Sequence, residues 1–78
     1  MLTHTTIGER LRRAIKASPL SLTQLAAELH DRGIRGSSRA MVARYVNDEL
    51  KGDPPLAVLM ASAEILDVSP MWLAFDLE

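Results

Sequence analysis

The chain contains no cysteine, which excludes disulfide staples, thiolate zinc sites and thiol nucleophiles together and fits a reducing cytosol. Long apolar runs are missing as well. The hydrophobic stretches are short and interrupted by charge, so neither a secretory nor a membrane-spanning segment is read. Alternating β-branched runs, the signature of strands, do not occur, and no internal repeat, low-complexity tract or linker divides the chain. These absences leave a soluble, cytoplasmic, all-α reading, with residues 1–78 as a single domain whose core is small for its surface.

Catalytic and metal chemistry find little support. His4 falls in a terminus expected to fray, and His30 lies beside a helix end. With no paired carboxylates at ligand spacing, both read as surface residues, and no metal or other cofactor is expected. Ser, His and Asp are present, but their order suggests no nucleophile elbow. No enzyme activity and no small-molecule ligand is read.

The formal net charge of −1 hides a division along the chain. Residues 1–44 hold eight Lys or Arg against Glu9, Glu28 and Asp31, a net of +5. Residues 45–78 hold only Lys51 against seven carboxylates, a net of −6. Such asymmetry can present one basic face while the far side repels polyanions; a solvated surface with accidental clustering accounts for it equally well.

Helical punctuation is frequent. Thr6 and Glu9 have capping-box spacing, and Ile7, Leu11 and Ile15 follow on one stripe, predicting a first helix from about Ile7 to Lys16 that Ser18 and Pro19 end. Ser21 and Gln24 form a second box before Leu22, Leu25, Ala26 and Leu29, with Gly33 as a left-handed stop. Ser38 is placed to cap a short third helix reaching Val46, with Met41, Val42 and Tyr45 inward. Residues 47–53 read as a loop. Pro55 is expected in the first turn of a fourth helix carrying Leu56, Leu59, Met60, Ala63 and Leu66 and closing near Asp67, and Ser69-Pro70 opens a last short helix. The expected architecture is a compact five-helix bundle.

Two short helices joined by a turn, the second capped by Ser and carrying Arg39 and Arg44 outward, is what laying a helix in a major groove requires. Helical rotation sets those arginines about 140° apart, flanking Ala40 and Ala43, whose small side chains let a backbone approach base edges. Exposed arginines on an ordinary amphipathic helix fit the same residues.

Four stretches, Leu25-Ala26-Ala27-Glu28-Leu29, Ser38 to Tyr45, Pro54-Pro55-Leu56 and Leu66 to Leu73, together resemble the lambda-repressor-like helix-turn-helix family, which includes the Cro proteins. The resemblance spans most of the chain in the right order. It implies base-edge roles for Arg39, Ala40, Ala43 and Arg44, with Ser38 capping and close to a phosphate. Ser21 and Thr23 are placed near the DNA backbone at the start of the second helix, and Arg13, Ser37, Asn47 and Lys51 are further phosphate candidates.

The chain departs from the family pattern in three places. Leu22 stands where the family carries a phosphate-clamping Gln. Eight residues separate Leu29 from Ser38, about six more than the family uses, which predicts about one added turn on the second helix and a longer loop from which Arg32 or Arg35 reaches DNA backbone. Asp48, Glu49 and Asp53 follow the third helix, where relatives often carry basic residues, and weaken phosphate attraction.

Trp72 and Phe75 are candidates either for core or for an interface with a second copy, while Leu73 is expected in the core. The expected protein is a homodimeric, sequence-specific regulator of transcription, a repressor, bound to double-stranded operator DNA. It is either a whole Cro-like protein or the amino-terminal part of a longer repressor. The alternative is a protein-interaction module, or an antitoxin-type domain, that keeps the helical fold.

Overall fold

The structure is a computed structural model that describes residues 5–77; His4 lies outside them. Five helices follow one another: α1 (Ile7–Ala17), α2 (Leu22–Asp31), α3 (Arg39–Val46), α4 (Leu56–Leu66) and α5 (Pro70–Phe75). No strand occurs among the described residues. The helices pack as a closed ring of neighbours, α1 on α3, α3 on α2, α2 on α4, α4 on α5 and α5 back on α1. Leu11, Leu25, Leu29, Val42, Val58 and Leu73, fully buried, fill its centre. The radius of gyration of 11.5 Å is that of a compact chain of this length.

The caps explain most of the boundaries. Ser21 and Gln24 close a complete capping box at the start of α2, each side chain reaching the other's backbone N–H. At α1 only half of the expected box forms. Thr6 Oγ1 accepts from Glu9 N at 3.1 Å, but its proton goes to Asp48 Oδ2 at 2.7 Å, tying the start of α1 to the residues after α3. Ser38 and Ser69 cap α3 and α5 by the same hydroxyl-to-amide bond. Pro55 precedes α4 as an extended cap instead of entering its first turn.

The apolar faces follow the expected stripes with shifts that packing explains. In α1 the buried face centres on Leu11 and Ala14 and includes Gly8 and Arg10, while Ile7 and Ile15 sit at its margins. In α3 Val42 and Tyr45 are buried and Met41 partly so, and Val46 joins them. Helix α4, lying between α2 and α5, buries Val58, Leu59, Ala61, Ser62, Ala63 and Leu66, more than one stripe. Leu56, predicted inward, is 58 % exposed at the first position of α4, while Val58 and Leu59 of the same turn are buried and carry the contact with the core instead.

Between α2 and α3 the chain is ordered by local bonds. α2 runs only two residues past Leu29, short of the predicted extra turn. Gly33, at φ 74°, donates to His30 O, and Ile34 donates to Leu29 O while packing against the core, a Schellman closure with its hydrophobic contact. Ser37 Oγ then donates to Ile34 O at 2.6 Å, and Tyr45 Oη donates to Gly36 O at 2.7 Å. The loop is thereby fastened to the helix it leads into.

That last bond has a pH consequence. Burial raises the Tyr45 phenol above its ordinary value of 10.0, and the bond to Gly36 O requires the proton. A pKa raised on folding contributes stability that is complete below pH 10 and lost as pH climbs through the folded value. Alkaline titration of unfolding free energy should therefore fall above pH 10 in the wild type and fall less in Tyr45→Phe. At neutral pH the same substitution should cost about 1 kcal/mol. Equal alkaline slopes in the two proteins would remove Tyr45 as the cause.

Candidate nucleic-acid interface

The outward side of α3 carries two exposed arginines, Arg39 and Arg44. Facing inward are Val42, Tyr45 and Val46; facing outward are Arg39, Ala40, Arg44 and, just past the last turn, Asn47, with Ala43 half-buried between. Successive residues turn by about 100°, so Arg39 and Arg44 mark the edges of this face and Ala43, Asn47 and Ala40 its middle. A helix with alanines at its centre presents its backbone closely to whatever it meets; α3 packs chiefly on α1 and α2, and Arg39, Ala40 and Arg44 stay exposed on its other side.

The two arginines have different surroundings. Arg39 Nε donates to Thr23 Oγ1 in the first turn of α2 at 2.8 Å. Arg44 makes no hydrogen bond or ion pair among the described residues, and it borders an open hollow of about 450 Å³ shared with Asp48, Lys51, Asp53 and Asp76. Both signs of charge line that hollow. The buried Arg10 below it has turned its donors to backbone carbonyls, so no anion socket is formed.

Ser21 and Thr23 are exposed at the start of α2, next to α3, as expected. Ser21 is engaged in its capping box and Thr23 in the bond to Arg39. Ser38 is exposed and occupied as a cap. Arg13, Arg35 and Lys51 are exposed.

Ser37 and Arg32 are engaged within the fold, and the core-or-interface alternative divides between Trp72 and Phe75. Ser37 is 4 % exposed with its hydroxyl turned into the loop, so it closes the turn and offers nothing to a surface ligand. Arg32 pairs with Glu64 of α4 at 3.3 Å, joining the end of α2 to the acidic half of the chain. Trp72 is partly buried against the core, whereas Phe75 is 57 % exposed beside Met71 and Leu77, which are exposed too.

Arg12 was not singled out by sequence and belongs with this surface. Its Nη2 donates to Val46 O at 2.9 Å and Asn47 Oδ1 at 2.7 Å, capping the carbonyl end of α3 with a cation. Asn47 is accordingly held by Arg12. Arg12, Lys16, Leu22 and Asn47 line a shallow hollow of about 370 Å³ between α1, α2 and α3, which gathers further positive charge beside the α3 face. The signal available in sequence was the proximity of the Arg12-Arg13 pair and Lys16 on one helix; which of them faces α3 depends on how α1 is rotated in the ring.

Asp48 also reads differently in three dimensions. Its carboxylate accepts from Thr6 and sits over the first turn of α1, where the positive end of the helix favours it, so much of its charge is met locally. Glu49 and Asp53 remain exposed.

His30 is exposed in the last turn of α2, and no three His, Asp or Glu among the described residues are close enough to hold a metal ion. No helix among them is long and apolar enough to cross a membrane. Comparison with protein-family models, with curated proteins and with solved structures returned no match to this chain.

Proposed function

We propose that this protein is a sequence-specific, double-stranded DNA-binding regulator of transcription, a repressor, that inserts α3 into the major groove in the manner of the lambda-repressor-like helix-turn-helix proteins it resembles in sequence. One observation carries the reading: α3 presents an uncovered face of Arg39, Ala40, Ala43 and Arg44, with the start of α2 beside it. Guanidinium groups at the edges suit guanine O6 and N7, and methyls at the centre suit thymine. Ser21, Ser38, Arg12, Lys16 and Arg35 supply hydroxyl, amide and cationic contacts to phosphates around that face. Repression follows from occupying a promoter.

Two copies acting together would read half-sites about 34 Å apart. The exposed Met71, Phe75 and Leu77 at the end of α5 are the apolar surface suited to such pairing, with Phe75 better placed than Trp72. A monomeric mass at high micromolar concentration, both free and on operator DNA, would exclude the pairing.

Selection from a random duplex library, followed by binding at graded salt, tests the proposal. Affinity should fall steeply as salt rises. Arg44→Ala or Arg39→Ala should cost about 1–3 kcal/mol and relax the preference at one base position. Uniform loss on all sequences would reassign that arginine to phosphate. Absence of duplex binding at low salt would overturn the reading and leave the interaction module, for which the exposed apolar end of α5 is the candidate surface.

A further inference from the structure

The side-chain oxygen of Thr23, at the start of α2, is engaged within the fold. Thr23 follows Ser21 and Leu22 in the first turn of α2, and its Oγ1 accepts the Nε proton of Arg39, the first residue of α3. Both side chains are exposed, so the bond bridges two helices across the open surface. Each end is set by a cap: the Ser21–Gln24 box fixes the first turn of α2, and Ser38 fixes the first turn of α3.

The choice of nitrogen matters. A guanidinium has five N–H donors in a planar fork, and an unrestrained arginine on a surface samples many rotamers that must be frozen when it meets a base. With Nε tied to Thr23, the plane is oriented and Nη1 and Nη2 make no hydrogen bond among the described residues. Those two nitrogens form the side of the fork that matches the paired acceptors O6 and N7 of guanine.

We propose that Thr23 is a positioning residue for guanine recognition: it holds Arg39 by Nε and presents the terminal nitrogens as a preformed pair to one guanine of the operator. The proposal rests on the DNA-reading function above and refines it. Thr23 acts through Arg39 and leaves the phosphate to others, and Arg39 is the more preorganised of the two arginines because Arg44 has no such holder.

Thr23→Val keeps the shape and removes the hydroxyl; Thr23→Ser keeps the oxygen. Binding is measured on a selected duplex and on the three variants with the assigned guanine replaced. In Thr23→Val the preference for guanine at that one position should drop roughly 5- to 10-fold, with little change on the replaced sites. Thr23→Ser should restore it. In an Arg39→Lys background, which lacks Nε and the fork, Thr23→Val should have no further effect. Without DNA, the Arg39 Nε proton should exchange more slowly in the wild type than in Thr23→Val.

Equal weakening on every sequence, with a shallower salt dependence, would make Thr23 a phosphate contact and overturn the proposal while leaving the DNA-reading function intact. Unchanged guanine preference in Thr23→Val, or equal Nε exchange in the two proteins, would overturn it too. A wild type that binds no duplex at low salt overturns this proposal together with the function it rests on.

Discussion

Arg10→Met should lower the unfolding free energy by about 3 kcal/mol, and Arg10→Ala by more, although neither site nor sequence advertises Arg10 as structural. Arg10 is only 4 % exposed. Its Nε donates to Leu73 O at 3.0 Å, Nη2 to Ala74 O at 3.4 Å, and Nη1 to Thr5 O and Thr5 Oγ1. Leu73 and Ala74 belong to the last turn of α5, whose carbonyls have no partner within the helix. A helix of six residues cannot hold itself together in water and depends on docking. The guanidinium supplies that docking in two ways, as a donor to orphan acceptors and as a cation at the negative end of the helix.

Methionine fills most of the space but leaves the carbonyls of α5 buried and unbonded, which is where the 3 kcal/mol comes from. Alanine adds a void. In a domain of this size the methionine variant should melt more than 10 °C lower, at about 4–8 °C per kcal/mol. Chemical denaturation and amide exchange of residues 70–76 would check it, with protection in α5 lost first. A methionine variant as stable as the wild type would mean that water replaces all the donors of Arg10.

The second large effect reverses the expectation from helix propensity. Gly8 lies in the first turn of α1, where alanine ordinarily stabilises by about 0.5–1 kcal/mol. Here Gly8→Ala should destabilise by about 2–3 kcal/mol. A Cβ on Gly8 would stand 2.5 Å from Asp48 Oδ1, 2.8 Å from Asp48 Cγ, and closer still to the carbonyl oxygen of Tyr45. The Asp48 carboxylate could move, but Tyr45 O belongs to the backbone of α3 and cannot shift without moving the helix. Gly8 therefore sets how closely α1 and α3 approach.

Because α3 carries the proposed reading face, Gly8→Ala should also weaken duplex binding under conditions where the variant remains folded. Leu59→Ala, a core truncation in α4, which packs on α2 and α5, separates the two effects: it should lower stability by about 2–5 kcal/mol and leave the binding of the folded fraction unchanged. If Gly8→Ala proves as stable as the wild type, the close approach of α1 to α3 is wrong.

These two residues show where sequence reading stops. Caps and apolar periodicity are local: Ser21, Ser38 and Ser69 each bond an amide three residues on, and the helices begin where those residues predict. Arg10 and Gly8 are defined by contacts with α5 and α3, at separations of 63 residues for Arg10 and Leu73. Nothing in their neighbourhood along the chain distinguishes Arg10, buried, from Arg12, exposed two residues on. The candidate surface divides in the same way. Arg39, Ala40, Ala43 and Arg44 were legible because a capped helix with buried Val42 and Tyr45 has only one other side. Arg12 was not, nor were the burial of Ser37 and the pairing of Arg32, because a loop closure and an ion pair to α4 depend on how the elements meet.

The sequence by itself determined an all-helical chain, its punctuation, most of its apolar faces and a basic first half, since these arise from bonds and spacings within a few turns. The tertiary structure alone decided the ring of five helices, the buried arginine under α5, the glycine contact between α1 and α3 and the tie from Thr23 to Arg39. Each of those requires surfaces distant along the chain to meet at atomic distance, and that meeting is set by the packing of the whole core.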